Sequence, residues 1–160
     1  MKHDVIEELF SKYYNNALLY MLSLTKNLPL SEEIVSDAFY TALKTADGEV
    51  QNFKAWLLKV CRNLYLNSLR KTRRLDELDE NLADKGESAL ESIIRKEEYR
   101  ALYRAISLLN DSYKEVITLF YFEDLSIKDI ALVTGKSEAV VKVNLFRARE
   151  ALKKILSFGM

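Results

Sequence analysis

One proline and four glycines are all that punctuate 160 residues, and between them apolar side chains return every three or four positions rather than every second one. No other feature limits the fold so tightly. Glycine and proline are the residues that stop helices, and a three-four repeat paints a single stripe along a helix. With Leu, Ala, Glu and Lys abundant, nearly every segment favours helix over strand, so the chain is expected to be all-α. Residues 4–24 carry Val5, Ile6, Leu9, Phe10, Tyr13, Tyr14, Ala17, Leu18, Met21 and Leu22, a wide stripe that reads as core. Pro29 follows, and Ser31 backed by Glu32 and Glu33 supplies a start for a second helix running to about Thr45. Asp47-Gly48 breaks it, and a third helix begins near Asn52. Its Phe53, Trp56, Leu57, Val60, Leu64 and Leu69 are spaced for burial, and it ends near Arg74.

From Asp76 to Glu87 the chain is acidic, poor in large apolar groups and without a period, so residues 76–90 are expected to be a flexible acidic linker between two small helical domains, 1–75 and 91–160. Periodicity resumes with Ile93, Ile94, Tyr99, Leu102, Ile106 and Leu109, and breaks again at Asn110-Asp111. A helix from Ser112 holds Val116, Ile117, Leu119, Phe120 and Phe122. Ser126 with Asp129 three residues later then makes a near capping box for a short helix, Gly135-Lys136 turns the chain, and Ser137 caps the last helix. Val141, Leu145, Ala148, Leu152 and Ile155 should line its inward face.

A formal net charge of zero conceals opposed local sums. Residues 50–75 carry 7 basic groups and no acidic one, residues 76–91 carry 1 basic and 7 acidic, and residues 136–160 carry 6 basic and 2 acidic. Two cationic elements bordered by acidic surface point to two nucleic-acid-facing surfaces. No apolar run approaches the roughly 18 residues that span a bilayer, and the amino terminus lacks the pattern of a signal peptide, so a soluble cytoplasmic protein without membrane insertion is expected. Cys61 has no partner for an internal disulfide, and Cys61 and His3 are together too few for a structural zinc site, so no metal is expected. There is no glycine-rich phosphate loop and no nucleophile with a plausible histidine, so neither enzymatic activity nor a cofactor is expected.

Residues 126–149 read as helix, tight glycine turn, helix, with small Ala131 allowing close approach. The second of these helices would lie in a major groove, with Ser137, Lys142, Phe146, Arg147 and Arg149 as the DNA-facing set. Phe146 would touch a thymine methyl or simply pack. Upstream, Lys59, Arg62, Asn63, Asn67, Arg70 and Arg74 share one polar, acid-free face of the third helix. Such a face can follow a phosphate backbone while the asparagines meet base edges, and nearby Tyr65 is a candidate for stacking on an unpaired base.

Three stretches, "SEEIVSDAFYTALK", "FKAWLLKVCRNLYLNSLRKTRR" and "LFYFEDLSIKDIALVTGKSEAVVKVNLFRAREAL", resemble in order and spacing the signatures of bacterial sigma factors of the sigma-70 class, in particular the compact extracytoplasmic-function (ECF) group. The resemblance spans about residues 5 to 156. It implies a region 2 helical bundle and a region 4 helix-turn-helix, and an alternative sigma factor that binds core RNA polymerase, recognises the minus-35 and minus-10 promoter elements and promotes melting. It implies polymerase-clamp binding by Glu33, Ile34, Val35, Asp37 and Phe39, with Ser36 where the family usually has glutamine. It matches Trp56, Leu57, Arg62 and Asn63 to the motif that holds the non-template minus-10 strand, with Asn67 where the family often has aspartate and Arg70, Lys71, Arg73 and Arg74 as its basic tail, and makes residues 45–51 the wall of a pocket for a flipped base. It places Ser137, Lys142, Phe146, Arg147 and Arg149 at the minus-35 element, with Val143 and Asn144 departing from the usual small hydroxyl and arginine. An anti-sigma factor is the further partner it implies.

Two rival readings are a sigma-like decoy that sequesters an anti-sigma factor without binding DNA, and a plain helix-turn-helix regulator using residues 112–156. The seven cations of residues 50–75 oppose the first, and the second leaves the amino-terminal half unexplained.

Overall fold

The computed structural model describes residues 3–45, 52–72 and 97–158, and among them no strand occurs. The chain divides into two compact units, Met1–Leu90 and Glu91–Met160. Residues 46–51, Arg74 and the acidic stretch 76–90 lie outside the described residues.

The first unit packs α1 (His3–Thr25), α2 (Leu28–Thr45) and α3 (Phe53–Thr72) against one another. Residues 17–22 of α1 are all buried, because this half of the helix is covered on more than one side by α2 and α3 and so needs apolar residues around most of its girth. Ile34, Val35, Ala38, Phe39 and Ala42 bury one face of α2, and Phe53, Ala55, Leu57, Leu58 and Cys61 bury one face of α3. A chain of rings ties the three helices together: Phe10 to Phe39 at 4.3 Å between centroids, Phe39 to Phe53 at 6.1 Å, Tyr13 to Phe53 at 6.1 Å and Phe53 to Trp56 at 5.6 Å. Burial by the packed helices raises the Tyr14 hydroxyl pKa above its usual value, and the Glu32 carboxylate adds to the shift.

Two expectations change here. The second helix begins a turn earlier than Ser31, because Asn27 caps it: its Oδ1 accepts from the Leu30 N–H at 3.0 Å and its backbone carbonyl accepts from the Ser31 N–H at 3.0 Å. Pro29 sits inside that first turn, where its missing N–H costs nothing, and the Ser31 hydroxyl instead meets the Thr25 hydroxyl at 2.7 Å. In α3 the buried line runs through Ala55, Leu58 and Cys61, leaving Trp56, Val60 and Leu64 half-buried and Leu69 exposed.

The second unit comprises α4 (Glu97–Ile106), α5 (Asp111–Ile117) with a π-turn at Thr118–Phe122, α6 (Ile127–Thr134) and α7 (Glu138–Phe158). Asn110 caps α5 through the Tyr113 N–H at 2.9 Å, Ser126 caps α6 through the Asp129 N–H at 3.1 Å, and Ser137 caps α7 through the Val140 N–H at 3.2 Å. Ile130 and Val133 of α6 pack with Val141, Leu145 and Ala148 of α7 and with Val116, Ile117 and Leu119 in a single apolar centre. Gly135 ends α6 at φ 73°, its N–H bonded to the Ala131 carbonyl at 2.9 Å. A side chain at this position would meet nothing within 4 Å, so only backbone conformation opposes substitution. Gly135→Ala is therefore expected to cost about 1 kcal/mol and Gly135→Asn less than that, measured by chemical denaturation. Equal costs would show that the left-handed turn is not what the glycine serves.

Candidate nucleic-acid interface

On α3, Asn63, Asn67 and Arg70 are exposed and Lys59 and Arg62 half-exposed, spaced three and four apart along one side. The helix places them there because its buried line through Leu57, Leu58 and Cys61 fixes the rotation. Arg70 and Lys71 also fall in the last described turn, where cations suit the negative end of the helix dipole. Tyr65 has an internal role: its hydroxyl donates to the Leu24 carbonyl at 3.2 Å, satisfying the carboxy-terminal end of α1 and bracing α3 against it.

On α2 the five clamp candidates separate by face. Glu33 and Asp37 are exposed, whereas Ile34, Val35 and Phe39 are buried and hold the helix in place. One residue that the sequence reading passed over stands beside the two acids: Tyr40 is 63% exposed, with the Lys44 ammonium 5.8 Å from its ring centroid. Glu33, Asp37, Tyr40 and Lys44 follow at i, i+4, i+7 and i+11, a spacing by which Tyr40 was readable.

On α7, Lys142, Phe146 and Arg147 point to solvent, and Ser137 sits at the amino-terminal cap. Arg149 differs from the other four. Its Nε donates to the Tyr121 hydroxyl at 2.7 Å, and its guanidinium lies 5.2 Å from the Phe120 ring centroid and 5.5 Å from that of Tyr121. The two rings reach it because the π-turn, closed by the Glu123 N–H on the Thr118 carbonyl at 3.1 Å, presents them side by side toward α7. Arg149 is thus a strut that braces the helix carrying Lys142 and Arg147 against the π-turn. No sequence pattern links residues 28 positions apart.

Among the described residues no cluster of three or more His, Cys, Asp or Glu is placed to hold a metal, and no helix is long and apolar enough to cross a membrane.

Two helical units in one chain, each presenting a cationic helix and one of them a capped helix-turn-helix, have the arrangement expected of a bipartite nucleic-acid-binding protein. Residues 9–75 match the family model for sigma-70 region 2, and residues 99–152 that for sigma-70, region 4. The chain belongs to the sigma-70 class of bacterial sigma factors, in its extracytoplasmic-function group. It is 29% identical over 158 residues to the ECF RNA polymerase sigma factor SigM of Bacillus subtilis, covering 97% of each chain. It is 28% identical over 160 residues to the ECF RNA polymerase sigma factor BldN of Streptomyces coelicolor, covering 96% of this chain and 61% of that one. In fold it is similar to CnrH, solved with the cytosolic domain of CnrY, at a TM-score of 0.68 and 20% identity, covering 99% of this chain and 92% of the other. It is also similar to the sigma factor RpoE, solved with the anti-sigma factor NepR from Bartonella quintana, at a TM-score of 0.67 and 20% identity over 94% of this chain and 98% of that one.

Proposed function

We propose that this chain is an alternative sigma factor that gives core RNA polymerase its promoter specificity and catalyses nothing itself. The observation that carries the reading is the pairing of two cationic helices, α3 and α7, on separate helical units that match region 2 and region 4. In this reading residues 1–75 engage the polymerase clamp through Glu33, Asp37 and Tyr40, with Ile34, Val35 and Phe39 beneath them. The face of α3 with Lys59, Arg62, Asn63, Asn67 and Arg70 holds the non-template strand of the minus-10 element, and Arg74, beyond the described helix, is assigned to the same strand. Contacts to splayed bases then offset the cost of unpairing the duplex. Residues 76–90 link the units, and residues 91–160 read the minus-35 element through Lys142, Phe146 and Arg147, with Ser137 and Arg149 positioning the helix. The site of action is the cytoplasm, where polymerase and promoter are. An anti-sigma factor is the expected regulator, as the solved complexes of the structural neighbours with CnrY and NepR support.

The test is transcription from a promoter library by sigma-free core polymerase with the purified chain, with start sites mapped. Initiation at a shared pair of upstream motifs is expected. Capture of a membrane-derived partner without any initiation would replace this reading by that of a decoy, and tight duplex binding without polymerase would make the chain a self-sufficient regulator.

Lys142→Ala is expected to weaken promoter binding across many sequences and to reduce the slope of log affinity against log salt by about one unit, the signature of one lost phosphate contact. A loss confined to a single base position would mean that Lys142 reads a base edge instead.

A further inference from the structure

The outermost line of α7 contains no hydrogen-bonding side chain where the helix would enter a groove. Val141, Leu145 and Ala148 are buried, and the line diametrically opposite them runs through Ala139, Val143 and Phe146. All three are exposed, Val143 to 47% and Phe146 to 65%. Cations flank this apolar line on both sides, Lys142 along one edge and Arg147 along the other, with Val140 at 45% exposure beside Arg147. Glu150 closes the line at its carboxy-terminal end and meets Lys153 at 3.5 Å.

An apolar ridge between two cationic edges has the profile of a duplex major groove seen from the protein's side. The groove floor is where thymine displays its C5 methyl, and its two walls are phosphate. A surface built only for an apolar protein partner would have no need of a cation on each flank. We infer that α7 reads its half-site chiefly through thymine methyl groups, packed against Ala139, Val143 and Phe146, while Lys142 and Arg147 grip the backbones on either side. This rests on the reading of the second unit as the element that docks on duplex DNA. Ala139 to Phe146 spans about 10 Å of helix, so the ridge covers about three base-pair steps. Glu138, on the Lys142 edge in the first turn, is suited to accept from a cytosine amino group at the end of that run.

The test uses the full chain bound to sigma-free core polymerase. Duplexes randomised across a promoter-length window are selected for binding, and the recovered upstream element is resynthesised with deoxyuridine for thymidine in that element alone, which removes the methyl and leaves base pairing intact. The parent chain is expected to lose about fourfold in affinity for each contacted methyl. Phe146→Ala, at a position too exposed to disturb the core, is expected to bind thymidine and deoxyuridine duplexes more nearly alike, and Val143→Ala to do so at a neighbouring position. Equal binding of the two duplexes by the parent chain would overturn the inference while leaving promoter recognition intact. Recovery of no upstream element would bring down the duplex-reading assignment and this inference with it. Loss of a protein partner by Phe146→Ala, with DNA affinity and deoxyuridine sensitivity unchanged, would overturn it in favour of a protein-docking ridge.

Discussion

Phe53→Ala should unfold the amino-terminal unit near physiological temperature and abolish initiation. The ring is buried, and it is the point at which Phe39 of α2, Tyr13 of α1 and Trp56 of α3 meet. Truncating a buried phenylalanine costs about 3–5 kcal/mol, a large part of the roughly 5–15 kcal/mol that holds an ordinary domain folded. For a unit of this size that corresponds to a fall of the melting temperature by more than about 12 °C. Thermal circular dichroism and amide exchange are the measurements: the melting transition of the unit moves down and protection collapses across α1, α2 and α3. Phe53→Leu, which keeps most of the volume, should restore most of it. A melting temperature within two or three degrees of the parent for Phe53→Ala would show that the aromatic chain is not what joins the three helices.

The double charge reversal Glu33→Lys with Asp37→Lys is expected to leave helix content unchanged and to weaken binding to core polymerase by about thirtyfold or more. Both residues are exposed on α2, so the core beneath them is untouched. A reversed charge facing groups that had accepted its opposite costs several kcal/mol at an interface, and 1.4 kcal/mol is a factor of ten. Titration of labelled chain with sigma-free core polymerase at two salt concentrations measures it, with most of the loss expected at low salt. Affinity within twofold of the parent would remove α2 from the clamp interface. Tyr40→Ala separates the apolar share of the same contact from the charged share.

What the sequence disclosed about this molecule depends on how locally each feature is encoded. The caps at Ser126 and Ser137 and the turn at Gly135 each depend on a few adjacent residues, and the structure places all three where their chemistry requires. The start of α2 was placed too late for a physical reason: Ser31 followed by Glu32 and Glu33 has the chemistry of a helix start, and Asn27, four residues earlier, was passed over. In the structure the Ser31 hydroxyl meets that of Thr25, six residues before it, while Asn27 accepts from the start of the helix. The exposed faces of α3 and α7 were legible from periodicity, because a helix with one buried line must present the opposite one. Periodicity did not say how far along α3 burial would extend, and Leu69, in phase with the rest, is exposed near the end of the described helix. The Arg149 strut was invisible, as its partners come from a π-turn that nothing in "TLFYF" announces.

That π-turn has one more residue in its ring than the helix leading into it. Without that extra residue α5 would run on as ordinary helix, and the chain downstream would be turned by about 100° relative to it. How α7 is turned relative to α5 therefore depends on a residue count as well as on the side chains that pack and brace it.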